Sequence, residues 1–241
     1  MELTPDIVIY EDAEGLASGA ADRIAGFIRR NASGPVTVGM AGGSTPAATY
    51  AQLGHLDVPW ERVYAWVGDE RFVPTDHPEN NGAMIRSTLL DRTDATFFAV
   101  PWREEATPAD AAQIYERTLL EIMNHDADGP LPDLLLAGIG DDGHTLSLFP
   151  GTTAVDNEER WFVENEVPQQ NTWRLTTTFA LARRATQTFV LVSGEAKAET
   201  LAEIMMPTST TTLPARRLMD HDAKVTWLVD KPAAALLEVH P

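Results

Sequence analysis

The chain has 241 residues, 44% of them hydrophobic and 22% charged, a balance that suits a globular protein with a sizeable core. It contains no cysteine, which excludes disulfides, a thiol nucleophile and thiolate metal sites. Thirty-six acidic residues against 18 basic ones leave a formal charge of −18, a surface that repels nucleic acid and anionic lipid.

The opening segment MELTPDIVIYED is acidic and lacks a basic region followed by an apolar run, so no signal peptide is expected. Ile7–Tyr10 reads as a strand and Asp12–Arg30 as a helix, with Leu16, Ala20, Ile24, Phe27 and Ile28 on one face. Val36–Met40 is a strand that runs into Gly42-Gly43-Ser44-Thr45-Pro46. A helix follows, with Ser44 or Thr45 expected as its N-cap. Val63–Val67 is a strand ending in Gly68-Asp69-Glu70. Asn80–Leu90 is expected to be helical, Phe97–Val100 a short strand and Pro108–Asn124 a helix. Leu134–Ile139 is an apolar strand ending in Gly140-Asp141-Asp142-Gly143-His144. Phe189–Ser193, Glu195–Met205, Val225–Val229 and Pro232–Val239 complete the pattern as strand, helix, strand and helix. The longest apolar runs, Leu134–Gly140 and Phe189–Val192, fall far short of the ~20 residues of a membrane helix, and a cytoplasmic location is expected.

Apolar strands alternating with helices predict an α/β fold, a twisted and mainly parallel sheet flanked by helices on both faces, with 1–241 as one domain. Ligands of such folds bind at the carboxyl ends of strands. The glycine pair 42–43 followed by Ser44 and Thr45 can cradle an anion, because the backbone approaches closely and a helix N-terminus presents N–H groups. It also reads as a tight turn with a helix cap. Neither a Walker loop nor a nucleophile elbow is present, since Pro46 stands where GxSxG needs glycine.

Gly138-Ile139-Gly140-Asp141-Asp142-Gly143 matches GxGxxG, with Glu164 placed where a dinucleotide fold wants an acid. Two aspartates inside the loop and Pro150-Gly151 soon after argue against pyrophosphate binding. The sharper feature is Asp142 beside His144: a carboxylate can fix an imidazole tautomer and raise its basicity. Of six histidines, His144 alone sits among glycines and acids at a strand end. HExxH is absent, so no metal is expected. Asp69 and Arg71 share a second strand end, where Arg71 could bind an anion or pair internally. Arg174 opens a β-like run. Lys197 lies in the first turn of a helix, a position that an anion at the same helix end would favour.

Together GGSTPAATY (42–50), WVGDERFVPTDHPENNGAMIRSTLL (66–90), LPDLLLAGIGDDGHTLSLFPGT (131–152), RLTTT (174–178) and SGEAKAETL (193–201) resemble the 6-phosphogluconolactonase family, in order and over nearly the whole chain. The resemblance implies a fold shared with glucosamine-6-phosphate deaminase and, more distantly, ribose-5-phosphate isomerase. It implies a single sugar-phosphate hydrolase domain that opens 6-phospho-D-glucono-1,5-lactone in the oxidative pentose phosphate pathway. It carries His144 over as the catalytic base and Asp142 as its neighbour. Gly43, Ser44, Thr45, Arg174 and Lys197 fall around the phosphate, with Gly42 in the same turn, and Asp69 and Arg71 near the sugar ring. No cofactor and no nucleic-acid or membrane partner is implied; the chain is expected to be a monomer or dimer. Phe149 stands where a deaminase-like sequence has a glutamate before the proline. The alternatives are a sugar-phosphate isomerase or deaminase on the same fold, or a non-catalytic sugar-phosphate-binding module.

Overall fold

The structure is a computed structural model, and it describes residues 6–206, 211–219 and 224–237. In chain order the elements are β1 (Asp6–Tyr10), α1 (Ala13–Asn31), β2 (Val36–Met40), α2 (Ser44–Leu53), β3 (Val63–Val67), β4 (Asp69–Arg71), α3 (Asn81–Thr88), β5 (Thr96–Phe98) and α4 (Pro108–Ile122). They continue as β6 (Asn124–Asp126), β7 (Gly129–Leu131), β8 (Leu134–Ala137), β9 (Phe162–Val167), β10 (Thr172–Thr177), α5 (Phe179–Ala182), β11 (Gln187–Val192), α6 (Ala198–Met205) and β12 (Val225–Asp230).

Seven strands form the main sheet in the order β1-β12-β11-β8-β2-β3-β5, and every pairing is parallel. Every residue of β2 and β8 is buried, so both faces of the sheet centre are covered, as their predominantly apolar runs require. Each fully buried Leu or Val there contributes about 1.5–3 kcal/mol. The helices begin where their caps dictate. Asp12 accepts from the Gly15 N–H (2.8 Å) at the start of α1. Thr107 and Asp110 form a reciprocal capping box ahead of Pro108 at the start of α4.

Because the strands are parallel, the loops after β2, β3, β8 and β11 emerge at one edge. There a second sheet meets the first. It is antiparallel, three-stranded, in the order β4-β10-β9. Gly68 joins the two: its N–H donates to Met40 C=O of β2 and its C=O accepts from Thr177 N–H at the end of β10 (both 2.9 Å). β9 and the hairpin β6–β7 are absent from the elements expected from sequence. The run FVENEV has three polar residues in a row and no apolar alternation, which masks it as a strand.

Two further expectations are corrected. The N-cap of α2 is Gly43, not Ser44 or Thr45. Gly43 has φ +106°, a conformation costly for any side chain, and its C=O accepts from Ala47 N–H (3.0 Å), so the helix starts one residue earlier. The segment 231–236 is a run of turns and not a helix. Ala234 N–H reaches Asp230 C=O four residues back (2.9 Å), but Ala235 and Leu237 donate to carbonyls three residues back and Asp230 Oδ1 takes the Ala233 N–H (2.9 Å), so the four-residue pattern is not continued. Val239 lies outside the described residues.

Candidate functional site

The loop after β8 is shaped around His144. Gly140 N–H donates to His144 C=O (2.8 Å) and Gly143 N–H to Gly140 C=O (3.1 Å), closing a tight turn. Asp142 Oδ1 lies 2.5 Å from His144 Nδ1 and accepts from the His144 N–H at 3.2 Å. A Cβ on residue 140 would stand 2.1 Å from His144 Nδ1, so only glycine lets the imidazole reach its aspartate. An ionised carboxylate only accepts, so Nδ1 carries a proton, and in the neutral imidazole the lone pair is then on Nε2. The imidazole stacks on the Phe149 ring with centroids 4.1 Å apart and an interplanar angle of 30°. The pairing of Asp142 with His144 expected from sequence is therefore present as a contact.

β4 and β10 supply the cations. In their antiparallel register Arg71 lies directly opposite Arg174. Like charges so placed repel. The Nε atoms of both guanidiniums are buried and have no hydrogen-bond partner among the described residues. Burial, and then the Arg71 charge, push the Arg174 pKa down, while Asp69, Glu79 and Glu70 act the other way. Arg71 Nη1 donates to Asn81 Oδ1 and to Glu79 C=O (3.4 Å). Arg174 Nη2 donates to Gln170 Oε1 (2.5 Å), and its guanidinium carbon stands 5.7 Å from the centre of the Phe149 ring. Phe149 thus neighbours both His144 and Arg174. Two partly buried arginines paired across the register make a place that an anion with two or more oxygens would stabilise.

The glycine turn joins this cluster from the other side. Tyr50 of α2 pins its start: the hydroxyl accepts from Ala41 N–H and donates to Ala41 C=O, both at 2.9 Å. Gly42 abuts the Asn81 carboxamide. The Ser44 and Thr45 hydroxyls make no hydrogen bond among the described residues, and Ser44 is exposed at the first turn of α2.

Asp69 is only 9% exposed. Its Oδ2 accepts from Ser147 Oγ (2.6 Å) and its C=O from Asn81 Nδ2 (2.8 Å). Ser147 C=O in turn accepts from Asn165 Nδ2 (2.9 Å) on β9. Asp69 therefore ties the β8 loop to the small sheet, while Oδ1 keeps no partner among the described residues.

Lys197 occupies the N-cap position of α6. It precedes α6, and its ammonium meets Asp141 Oδ1 at 2.5 Å. Thr200 Oγ donates to Asp141 C=O (2.7 Å). An internal carboxylate already answers the conflict with the helix dipole, because β8 and β11 are neighbours and their loops meet.

Sequence reasoning did not single out Asn81, Ser147 or Glu70, and it used Phe149 only as a missing glutamate. A helix-start asparagine pair and a glutamate beside Asp69 were the available signs. Their contacts cross between elements far apart in the chain.

Among the described residues no helix is long and apolar enough to cross a membrane. Residues 11–227 match the family model described as glucosamine-6-phosphate isomerases/6-phosphogluconolactonase. A 6-phosphogluconolactonase of Synechocystis is 36% identical over 204 residues, covering 83% of this chain and 84% of that one. The structure of the Trypanosoma brucei 6-phosphogluconolactonase superposes with a TM-score of 0.90 at 29% identity, covering 98% of this chain and 99% of that one. A monomeric glucosamine-6-phosphate deaminase shares the fold at 23% identity, with a TM-score of 0.80 and coverage of 96% and 99%. With a parallel sheet whose carboxyl edge carries the glycine turn and the histidine loop, this chain belongs to the glucosamine-6-phosphate isomerase/6-phosphogluconolactonase family.

Proposed function

We propose that this chain hydrolyses 6-phospho-D-glucono-1,5-lactone to 6-phospho-D-gluconate, in the cytoplasm, with His144 as the general base. The observation that carries the reading is His144 held by Asp142 at 2.5 Å and seated on Phe149, where an amino-sugar reaction would need a carboxylate. His144 Nε2 takes a proton from a water that attacks the lactone carbonyl. The tetrahedral oxyanion is met by backbone N–H groups. The ring C–O bond then breaks, and His144 returns the proton to the departing oxygen. General base catalysis contributes roughly 10²–10⁴-fold, and each oxyanion donor a comparable factor. A δ-lactone is reactive enough that this chemistry calls for no metal or organic cofactor.

The phosphate group is assigned to the Arg71–Arg174 pair, whose mutual repulsion it would remove, together with the Gly42-Gly43-Ser44-Thr45 turn. Lys197, already paired, contributes less. Asp69 Oδ1 is assigned to a sugar hydroxyl. Holding the substrate by its remote phosphate lets that binding energy position the carbonyl.

The test is turnover of the phosphorylated lactone at a pH where spontaneous opening is slow, beside glucosamine 6-phosphate and ribose 5-phosphate. Hydrolysis of the lactone alone is expected. Release of ammonia from the amino sugar with the lactone untouched would move the chain to the deaminase branch.

A further inference from the structure

Glu70 is a buried carboxylate that the reaction just described does not use. It is 2% exposed, between Asp69 and Arg71 on β4. Its Oε1 accepts from two backbone N–H groups, Arg71 at 2.8 Å and Asn81 at 2.7 Å, and Oε2 accepts from Gly82 at 2.8 Å. One carboxylate therefore holds the backbones of both partners in the Arg71–Asn81 side-chain contact. Asn81 is held a third way, by Nδ2 on Asp69 C=O, and its carboxamide lies against Gly42. Glu70 is not needed to start α3, which has its own cap in Asn80, accepting from Ala83 N–H.

We propose that Glu70 is a positioning residue for the anion grip: by clamping Arg71 and the start of α3 together it sets where the Arg71 guanidinium stands opposite Arg174. The inference rests on the phosphate role given to that arginine pair. A guanidinium on a free side chain loses several rotamers when it binds an anion. One anchored at its own N–H and braced by Asn81 has lost them already, so the anion meets a formed site. Glutamine could fill the same space but offers one acceptor oxygen where the carboxyl group offers two. Burial pushes the Glu70 carboxyl up to about 7, a rise opposed by the N–H groups of Asn81, Gly82 and Arg71 and assisted by Asp69. The charged and titratable groups around it are Asp69 and Arg71 on β4, Arg174 on β10, Glu79 before α3 and the Tyr115 hydroxyl on α4.

The experiment compares wild type, Glu70→Gln, Arg71→Ala and the double variant by calorimetric binding of inorganic phosphate and of 6-phosphogluconate, with lactone kinetics in parallel. Glu70→Gln is expected to weaken binding of both ligands about 10-fold and to raise KM alike, with kcat within about threefold. The double variant should bind no worse than Arg71→Ala alone, because the two residues act as one unit. A merely structural Glu70 would instead lower thermal stability, leave ligand affinity of the folded fraction unchanged and add fully to Arg71→Ala; either result overturns the proposal. Asn81→Ala removes the brace while sparing Glu70, and should weaken phosphate binding similarly even if Glu70→Gln fails to fold. Wild-type affinity in Asn81→Ala, or no phosphate binding by wild type, also overturns it. If wild type binds phosphate, with Glu70→Gln weaker, but opens no lactone, the clamp stands and the lactonase reading falls.

Discussion

The two sheets that meet at the candidate site follow opposite rules. The seven-stranded sheet is parallel and apolar, with β2 and β8 buried along their whole length. It has no chemistry of its own and serves to bring loops to one edge. The three-stranded sheet is antiparallel and polar inside: Glu70, Asn165, Thr176 and Thr177 are all nearly inaccessible. It places Arg71 against Arg174, a repulsive arrangement that burial of ordinary apolar residues would have avoided. The first sheet is built for stability. The second sets two cations opposite each other, an arrangement whose repulsion a bound anion would relieve.

The comparison breaks most sharply at His144, on a loop of the large sheet. His144→Ala should lower kcat about 10²-fold or more while affinity for 6-phosphogluconate stays within about threefold, measured by steady-state kinetics and calorimetry. Near wild-type turnover would remove the base from the mechanism.

On the small sheet, Arg174→Ala should act on binding. Loss of one charge-assisted contact is worth about 1.5–3 kcal/mol, or roughly 10- to 150-fold in KM for the phosphorylated lactone. Unphosphorylated gluconolactone should lose much less, and equal losses on both substrates would return Arg174 to the fold.

A pH series of thermal melts reaches the small sheet through Glu70. The folded state holds its proton up to about 7, whereas an unfolded glutamate releases it near 4.5. Between those values the native state binds more protons than the unfolded chain, so stability falls as pH rises. The contribution is complete below about 4.5 and lost on passing through about 7, with a slope of at most about 1.4 kcal/mol per pH unit. Glu70→Gln should flatten that slope; an unchanged profile would assign the titration to another group.

The smallest effect is expected at Lys197. Its pair with the exposed Asp141 is worth about 0–1 kcal/mol, so Lys197→Ala should change melting little and raise KM for the phosphorylated lactone less than Arg174→Ala does. A KM effect equal to that of Arg174→Ala would restore Lys197 to the phosphate.

The large sheet was readable along the chain because burial on both faces demands predominantly apolar runs such as VTVGM and LLLA, and its order places their loops together. Asp142 and His144 were readable for another reason: two residues apart in a glycine-rich turn, they meet through local geometry. The small sheet was hidden. Its polar strands β4 and β9 carry no hydrophobic period strong enough to announce them, and the register that sets Arg71 against Arg174 exists only when β3, β8 and β10 have assembled. Lys197 shows the same limit from the other side. Its helix-start position invited an anion, but which anion depends on the neighbouring strand, and the fold supplies Asp141. Local patterning decides elements and short-range pairs, because those depend on a few consecutive residues. Partners drawn from separate strands are chosen by the packing of the whole sheet, where desolvation and register decide which charges meet.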